Sequence, residues 1–291
     1  MVMAPAEWAA RTAAHEARVR EWTDPHLDRA VRREKHPVLD FLFTYYDYSP
    51  GALRRWHPGA GVVLAGDPPH REWTGYVEVD GGVTANTSLE GKRGRLVQDT
   101  VRLLRATAGR RPVFGCHGMH EWAMVYRSSA EEIRHSSWPL RLAPAEIERV
   151  VESAPLRCTH FDAFRFFTEP ARPLNVLTLS RDAMPDLEQG GCLHTNMDLY
   201  KHAYRLSPLV PSELVADCFA LAREIRTLDM KASPYDLTAL GYQPIAIETG
   251  EGKQQYVDAQ REFADRAAIV RARLTEAVST VCSAMETARE P

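Results

Sequence analysis

The chain has 291 residues, 44% of them hydrophobic and 26% charged, with a formal net charge of −3 at pH 7. That composition suits a globular protein with a sizeable core, and the slight acidic excess offers nucleic acid no global basic field. No apolar run approaches the roughly 20 residues that cross a bilayer, Met1 to Glu16 lacks a basic segment followed by an apolar one, and five cysteines without a CxxC pair point to reduced thiols in a cytoplasmic protein rather than a disulfide framework or zinc ribbon.

Residues 6–35 read as an N-terminal helical arm in which Trp8, Ala9, Ala13, Ala17 and Val19 recur among charges, with Asp24-Pro25 as the cap and first residue of a second segment. After His36-Pro37, residues 38–46 read as a buried aromatic helix. Ser49-Pro50 then opens a turn into Leu53-Arg54-Arg55-Trp56. Arg54 and Arg55 beside aromatic rings either grip an anion or stack on bases, or else cover core rings with their stems. Residues 62–64, 76–79 and 83–85 read as short strands, the last two joined by the Asp80-Gly81-Gly82 turn, and together they form a small antiparallel β element.

Helical spacing returns over residues 89–105, 119–126 and 144–152. Residues 156–160 favour an extended conformation; if a strand continues, Cys158, His160, Asp162 and Phe164 share one face, and if a helix forms, Phe161 and Arg165 align instead. A helix over 193–206 puts His194 and Asp198 on one face, with Tyr200 and Lys201 following. Pro211 starts another, striped by Leu214, Cys218, Leu221, Ala222, Ile225 and Leu228. Residues 245–247 read as a short strand and 253–286 as a long C-terminal helix with room for a kink. With no repeat of solenoid length and no Pro/Gly/Ser-rich linker, the expected fold is a single α+β domain, predominantly α-helical.

Three segments place a His shortly after a Cys and a carboxylate shortly after the His: Cys116 to Glu121, Cys158 to Asp162 and Cys192 to Asp198. If they converge, His120, His160 and His194 with Glu121, Asp162 or Asp198 supply a donor set suited to Zn or Fe(II), although none of the three segments carries an HExxH or Glu-x-x-His spacing. Alternatively, Asp162 among Phe161, Phe164 and Phe166 is a desolvated carboxylate whose raised pKa suits a general base. Pairing with Arg165 opposes that shift and would make Asp162–Arg165 a structural pair and His160 a core histidine. A nucleophilic Cys158 or Cys192 beside a His is a further option. There is no GxGxxG, GxxxxGK[ST] or GxSxG, so nucleotide cofactors bound through such loops are not expected.

The runs His36–Tyr46, Leu53–Gly59, His120–Arg127, His160–Phe167 and Met197–Lys201 resemble a bacterial family, common in actinomycetes, whose members are labelled 3-methyladenine DNA glycosylases. The likeness extends from about Trp8 into the final helix. It implies cofactor-free hydrolysis of the N-glycosidic bond of an alkylated purine in DNA. Asp162 or Asp198, near Glu121, would then stabilise the oxocarbenium-like sugar, and His120 or His160 would assist proton transfer. Trp122, Phe164 and Tyr200 would line the base pocket, with Arg165, Lys201, Arg54 and Arg55 as further substrate contacts. A Gly-rich helix-hairpin-helix, the DNA anchor of one large glycosylase class, is absent. Two other readings stand beside it. One is a His/carboxylate metalloenzyme, hydrolase or oxygenase, acting on a small molecule with Zn or Fe(II) on His120, His160 and His194. The other is a non-catalytic protein that binds an anion or nucleotide.

Overall fold

A two-residue strand, β1 (Val2–Met3), leads into the long helix α1 (Pro5–Val31); the computed structural model describes residues 1–129, 138–153 and 155–287. α1 buries His15, Val19 and Thr23, and the His15 ring bonds the Leu53 carbonyl at 2.9 Å. Pro25, expected to open a second segment, lies inside α1. Pro25 and Glu21 are both exposed, so the carbonyl that loses its donor four residues on faces water and the helix runs through. The aromatic helix expected over 38–46 shortens to α2 (Phe41–Tyr45). It is followed by α3 (Pro50–Arg54), whose Ser49 cap accepts from the Ala52 amide at 3.1 Å.

Strands β2 (Val63–Leu64), β3 (Tyr76–Val79) and β4 (Gly82–Ala85) join β1 in a four-stranded sheet of order β1-β2-β4-β3. The β3–β4 hairpin and the β2–β4 pair are antiparallel as expected, whereas β1 pairs with β2 in parallel, so the sheet is mixed. Two residues carry too little alternation to announce β1 in advance. Helix α4 (Gly91–Ala108) follows.

The remaining helices are α5 (Met119–Ala123), α6 (Pro144–Glu152), α7 (Phe161–Phe164), α8 (Met184–Leu187), α9 (Leu193–Arg205), α10 (Ser212–Lys231) and α11 (Gly250–Thr287). α11 continues without a break. The strand expected at 245–247 is absent: the Ile245 amide donates to Lys231 O and the Ile247 amide to Ile245 O, which ties the segment to the end of α10. Residues 156–160 are extended but make one isolated bridge, Leu156 to Asn175, and His160 already caps α7. The alternating face proposed for Cys158, His160, Asp162 and Phe164 therefore does not exist.

The protein is 56% helical with a small mixed sheet, a predominantly helical α+β fold. Among the described residues no helix is long and apolar enough to cross a membrane. The chain builds two compact units. Met1–Arg105, Leu199–Ala222 and the chain from Ile269 form one; Ala106–Asp198 and Arg223–Ala268 form the other. Their boundaries fall inside α4, α9, α10 and α11 rather than in linkers. In the first unit Met3, Trp56, Val62 and Leu64 form a core against Trp8, whose indole donates to Ala65 O at 3.0 Å. In the second, Trp122, Ile147, Val151, Leu156, Tyr235 and Tyr256 are buried.

Candidate functional site

All three Cys/His segments belong to the second unit, and two glycines let two of them in close. Gly118, which precedes α5, adopts φ 69°, ψ 13°, a left-handed conformation that favours glycine; a Cβ there would stand 3.1 Å from the Tyr256 ring. The resulting turn delivers His120 and Glu121, both buried, in the first turn of α5. Gly191 lies just before α9, and a Cβ on it would meet the Val113 carbonyl at 2.6 Å. Gln189 clamps this approach, its Oε1 accepting from the Val113 amide at 2.8 Å and the Gly191 amide at 2.7 Å. His194 follows in the first turn of α9. Asn175 pins the third segment, accepting from the Cys158 amide at 2.8 Å and donating to its carbonyl at 3.1 Å.

The three imidazoles converge. The His194 ring centroid is 4.0 Å from that of His120 and 5.6 Å from that of His160. A fourth element completes the group, because α10 contributes Arg226 and Asp229, each 1% exposed. Arg226 Nη1 donates to Glu121 Oε1 at 2.6 Å and to Asp229 Oδ2 at 3.0 Å. This leaves Asp229 Oδ1 facing His120 Nε2 at 3.1 Å. The two atoms stand at ion-pair distance, without the alignment of a well-formed hydrogen bond. Among the described residues His120, His194 and Asp229 form the one cluster whose ligand atoms, all within 4.8 Å of one another, suit a single metal ion.

His160 stands differently. Its Nδ1 accepts from the Ala163 amide at 3.2 Å, which leaves Nε2 to carry the proton and donate to Asp198 Oδ2 at 3.1 Å, with Glu188 Oε1 at 3.7 Å. That nitrogen is committed to carboxylates, so the ligand set of His120, His160 and His194 expected from sequence gives way in the geometry to His120, His194 and Asp229. The charge pattern separates His120 from His194. Burial alone lowers the His120 pKa, but Asp229 and Glu121 beside it raise it to about 9. Burial, reinforced by the neighbouring His120, lowers His194 to about 3 and keeps it neutral. Asp229 is held below the usual carboxylate range: burial opposes this, and His120 outweighs burial.

A cavity of about 20 Å³ adjoins these rings, lined by His120 and His194, by the thiols of Cys116, Cys158 and Cys192, and at its rim by Arg157. Burial raises the pKa of all three thiols, Cys192 to about 12, so they are neutral walls rather than ready nucleophiles.

The other expected site residues sit elsewhere. Asp162 pairs with Arg165 at 3.5 Å and Arg181 at 3.9 Å. Arg165 is exposed over the Phe166 ring, and Phe164 packs on Phe167. Trp122 is fully buried and donates its indole N–H to Ala232 O at 2.9 Å. Tyr200, Lys201, Arg54 and Arg55 belong to the first unit. There Tyr200 is a core ring against Tyr46 and Phe219, Lys201 is half-buried, Arg54 pairs with Asp24, and Arg55 lies over Trp73. Sequence reasoning passed over Asp229, Arg226 and Glu188. The available signal for the first two was a pair of charges three apart, flanking Ile225 and Leu228 on a stripe otherwise apolar. Searches against protein-family models, curated proteins and solved structures find no match to this chain.

Proposed function

We propose that the chain is a metalloenzyme of the two-histidine, one-carboxylate kind, with His120, His194 and Asp229 holding a divalent ion and the adjoining cavity receiving a small molecule. The observation that supports it is the gathering of one ligand atom each from His120, His194 and Asp229 within 4.8 Å of one another. An ion there would take the place of the proton that His120 holds beside Asp229, so ion uptake should tighten as pH rises. Neutral His194 adds a third donor, and the cavity beside the two imidazoles leaves an open position, the pattern of a catalytic rather than a structural zinc or iron site. When bound, such an ion supplies Lewis acidity and an acidified water. Glu121, steered by Arg226, stands 3.8 Å from His120 Nε2 and is the carboxylate placed to move a proton.

Size favours this reading over base excision. A flipped purine brings roughly ten heavy atoms, whereas a 20 Å³ cavity holds about one water molecule. The test is metal content after purification and after reloading with Zn(II), Fe(II) or Co(II). About one equivalent per chain is expected in the wild type, with a loss of at least tenfold in affinity for Asp229→Asn and His194→Gln. Wild-type protein that takes up none of the three ions overturns the assignment.

A further inference from the structure

We infer that the substrate of this centre is a small monoanion, an aliphatic carboxylate, anchored by Arg157 at the cavity rim; the inference rests on the metal reading above. Arg157 lines the cavity together with His120 and His194. It is exposed, and its side chain makes no hydrogen bond or ion pair with another described residue. The other charges around the cavity floor are already matched: Arg226 holds Glu121 and Asp229, and His160 donates to Asp198. Arg157 is therefore the cationic group left to meet something from outside, and a guanidinium is built to bind a carboxylate through two parallel hydrogen bonds. Thr159, half-buried in the same lining, adds a hydroxyl next to it.

The space between rim and floor limits the remainder of the substrate. Its walls are apolar or weakly polar, with Leu156, Phe167, Met119 and the neutral thiols of Cys116 and Cys158. An aliphatic stub fits such a wall, and a second charged group would be left there unpaired. About 20 Å³ admits one or two non-hydrogen groups past the rim. The apolar walls favour a carboxylate with an aliphatic tail over a phosphate, whose further oxygens would be left unbonded against them.

The test uses the full-length protein loaded with Co(II), whose visible absorption reports both ion uptake and changes at the open position. Propionate and its neutral isostere propionamide are titrated into wild type, Arg157→Gln and Arg157→Lys, with inorganic phosphate as the dianionic probe. Propionate should perturb the spectrum of the wild type, and its affinity should fall about ten- to a hundredfold in Arg157→Gln, the range for a hydrogen-bonded charge contact. Arg157→Lys should recover part of the loss, and Co(II) affinity should be the same in all three proteins. Intact Co(II) binding with equal propionate affinity in wild type and Arg157→Gln overturns the anchor while leaving the metal centre standing. So does propionamide binding as well as propionate, or phosphate binding more tightly. Absence of Co(II) uptake in the wild type overturns the centre and this inference together.

Discussion

Replacing Arg226 with methionine separates the two forces that hold the centre. The guanidinium is 1% exposed and bridges Glu121, 5% exposed, and Asp229, 1% exposed, through contacts of 2.6 and 3.0 Å. Methionine keeps most of the stem's volume, so little of the effect is a packing loss. Two hydrogen bonds to charged groups at about 1.5–3 kcal/mol each and the 3–5 kcal/mol typical of stranding a buried charge agree on a cost of about 4 kcal/mol in metal-free protein. Glu121→Gln in the same background removes one of the two stranded carboxylates and should restore roughly 1–3 kcal/mol. A divalent ion replaces the lost positive charge, so Co(II) should stabilise Arg226→Met more than it stabilises the wild type. Urea unfolding at pH 7, with chelator and then with Co(II), measures all three. A loss under about 1 kcal/mol, or no recovery from Glu121→Gln, would refute the claim that Arg226 compensates these carboxylates.

Two further outcomes concern residues outside the His120, His194 and Asp229 cluster. Burial first, then the neighbouring His70 and Arg55, lowers the His57 pKa from 6.5 to about 4, at a site 9% exposed. The unfolded chain therefore takes up the proton first, and stability falls as pH drops from 6.5 to 4, by about 3 kcal/mol from this residue at 1.36 kcal/mol per pH unit. Urea titrations at several pH values should show a shallower acid loss in His57→Gln; parallel curves for the two proteins would discard the attribution. Trp122→Phe leaves the Ala232 carbonyl without its donor and opens a small void, and it should cost about 2–3 kcal/mol with unchanged ion stoichiometry. Impaired ion uptake at full stability would instead put the indole at the site.

Much of the fold was legible where local pattern and burial agree. The β3–β4 hairpin could be read from Asp80-Gly81-Gly82 between alternating runs, and α6, α9, α10 and α11 from their spacing and starts. Pro25 misled because a proline rule ignores exposure, and both Pro25 and Glu21 lie on the exposed side of α1. Residues 245–247 misled because three apolar residues in a row fit a strand or any buried connection equally well. Ile245 is held by the Lys231 carbonyl at the end of α10, a contact no local window contains.

The site divides along the same line. The repeated order of Cys, His and carboxylate marked three segments, and their imidazoles do gather around His194. Which carboxylate would serve as ligand was hidden, because Asp162, Asp198 and Asp229 look alike in one dimension. Their partners decide it: Asp162 meets Arg165 and Arg181, Asp198 accepts from His160, and Asp229 turns one oxygen to Arg226 and the other toward His120. Asp229 is thus the carboxylate whose free oxygen gathers with ring nitrogens of both His120 and His194. Under the proposed metal reading, the same reasoning gives Arg226 its place beside the ion. Without Arg226, Glu121 and Asp229 would repel each other in a dry interior, and the cheapest relief would be to protonate one of them. Arg226 instead bonds both carboxylates, at 2.6 and 3.0 Å, which under the proposed metal reading leaves Asp229 Oδ1 toward the ion.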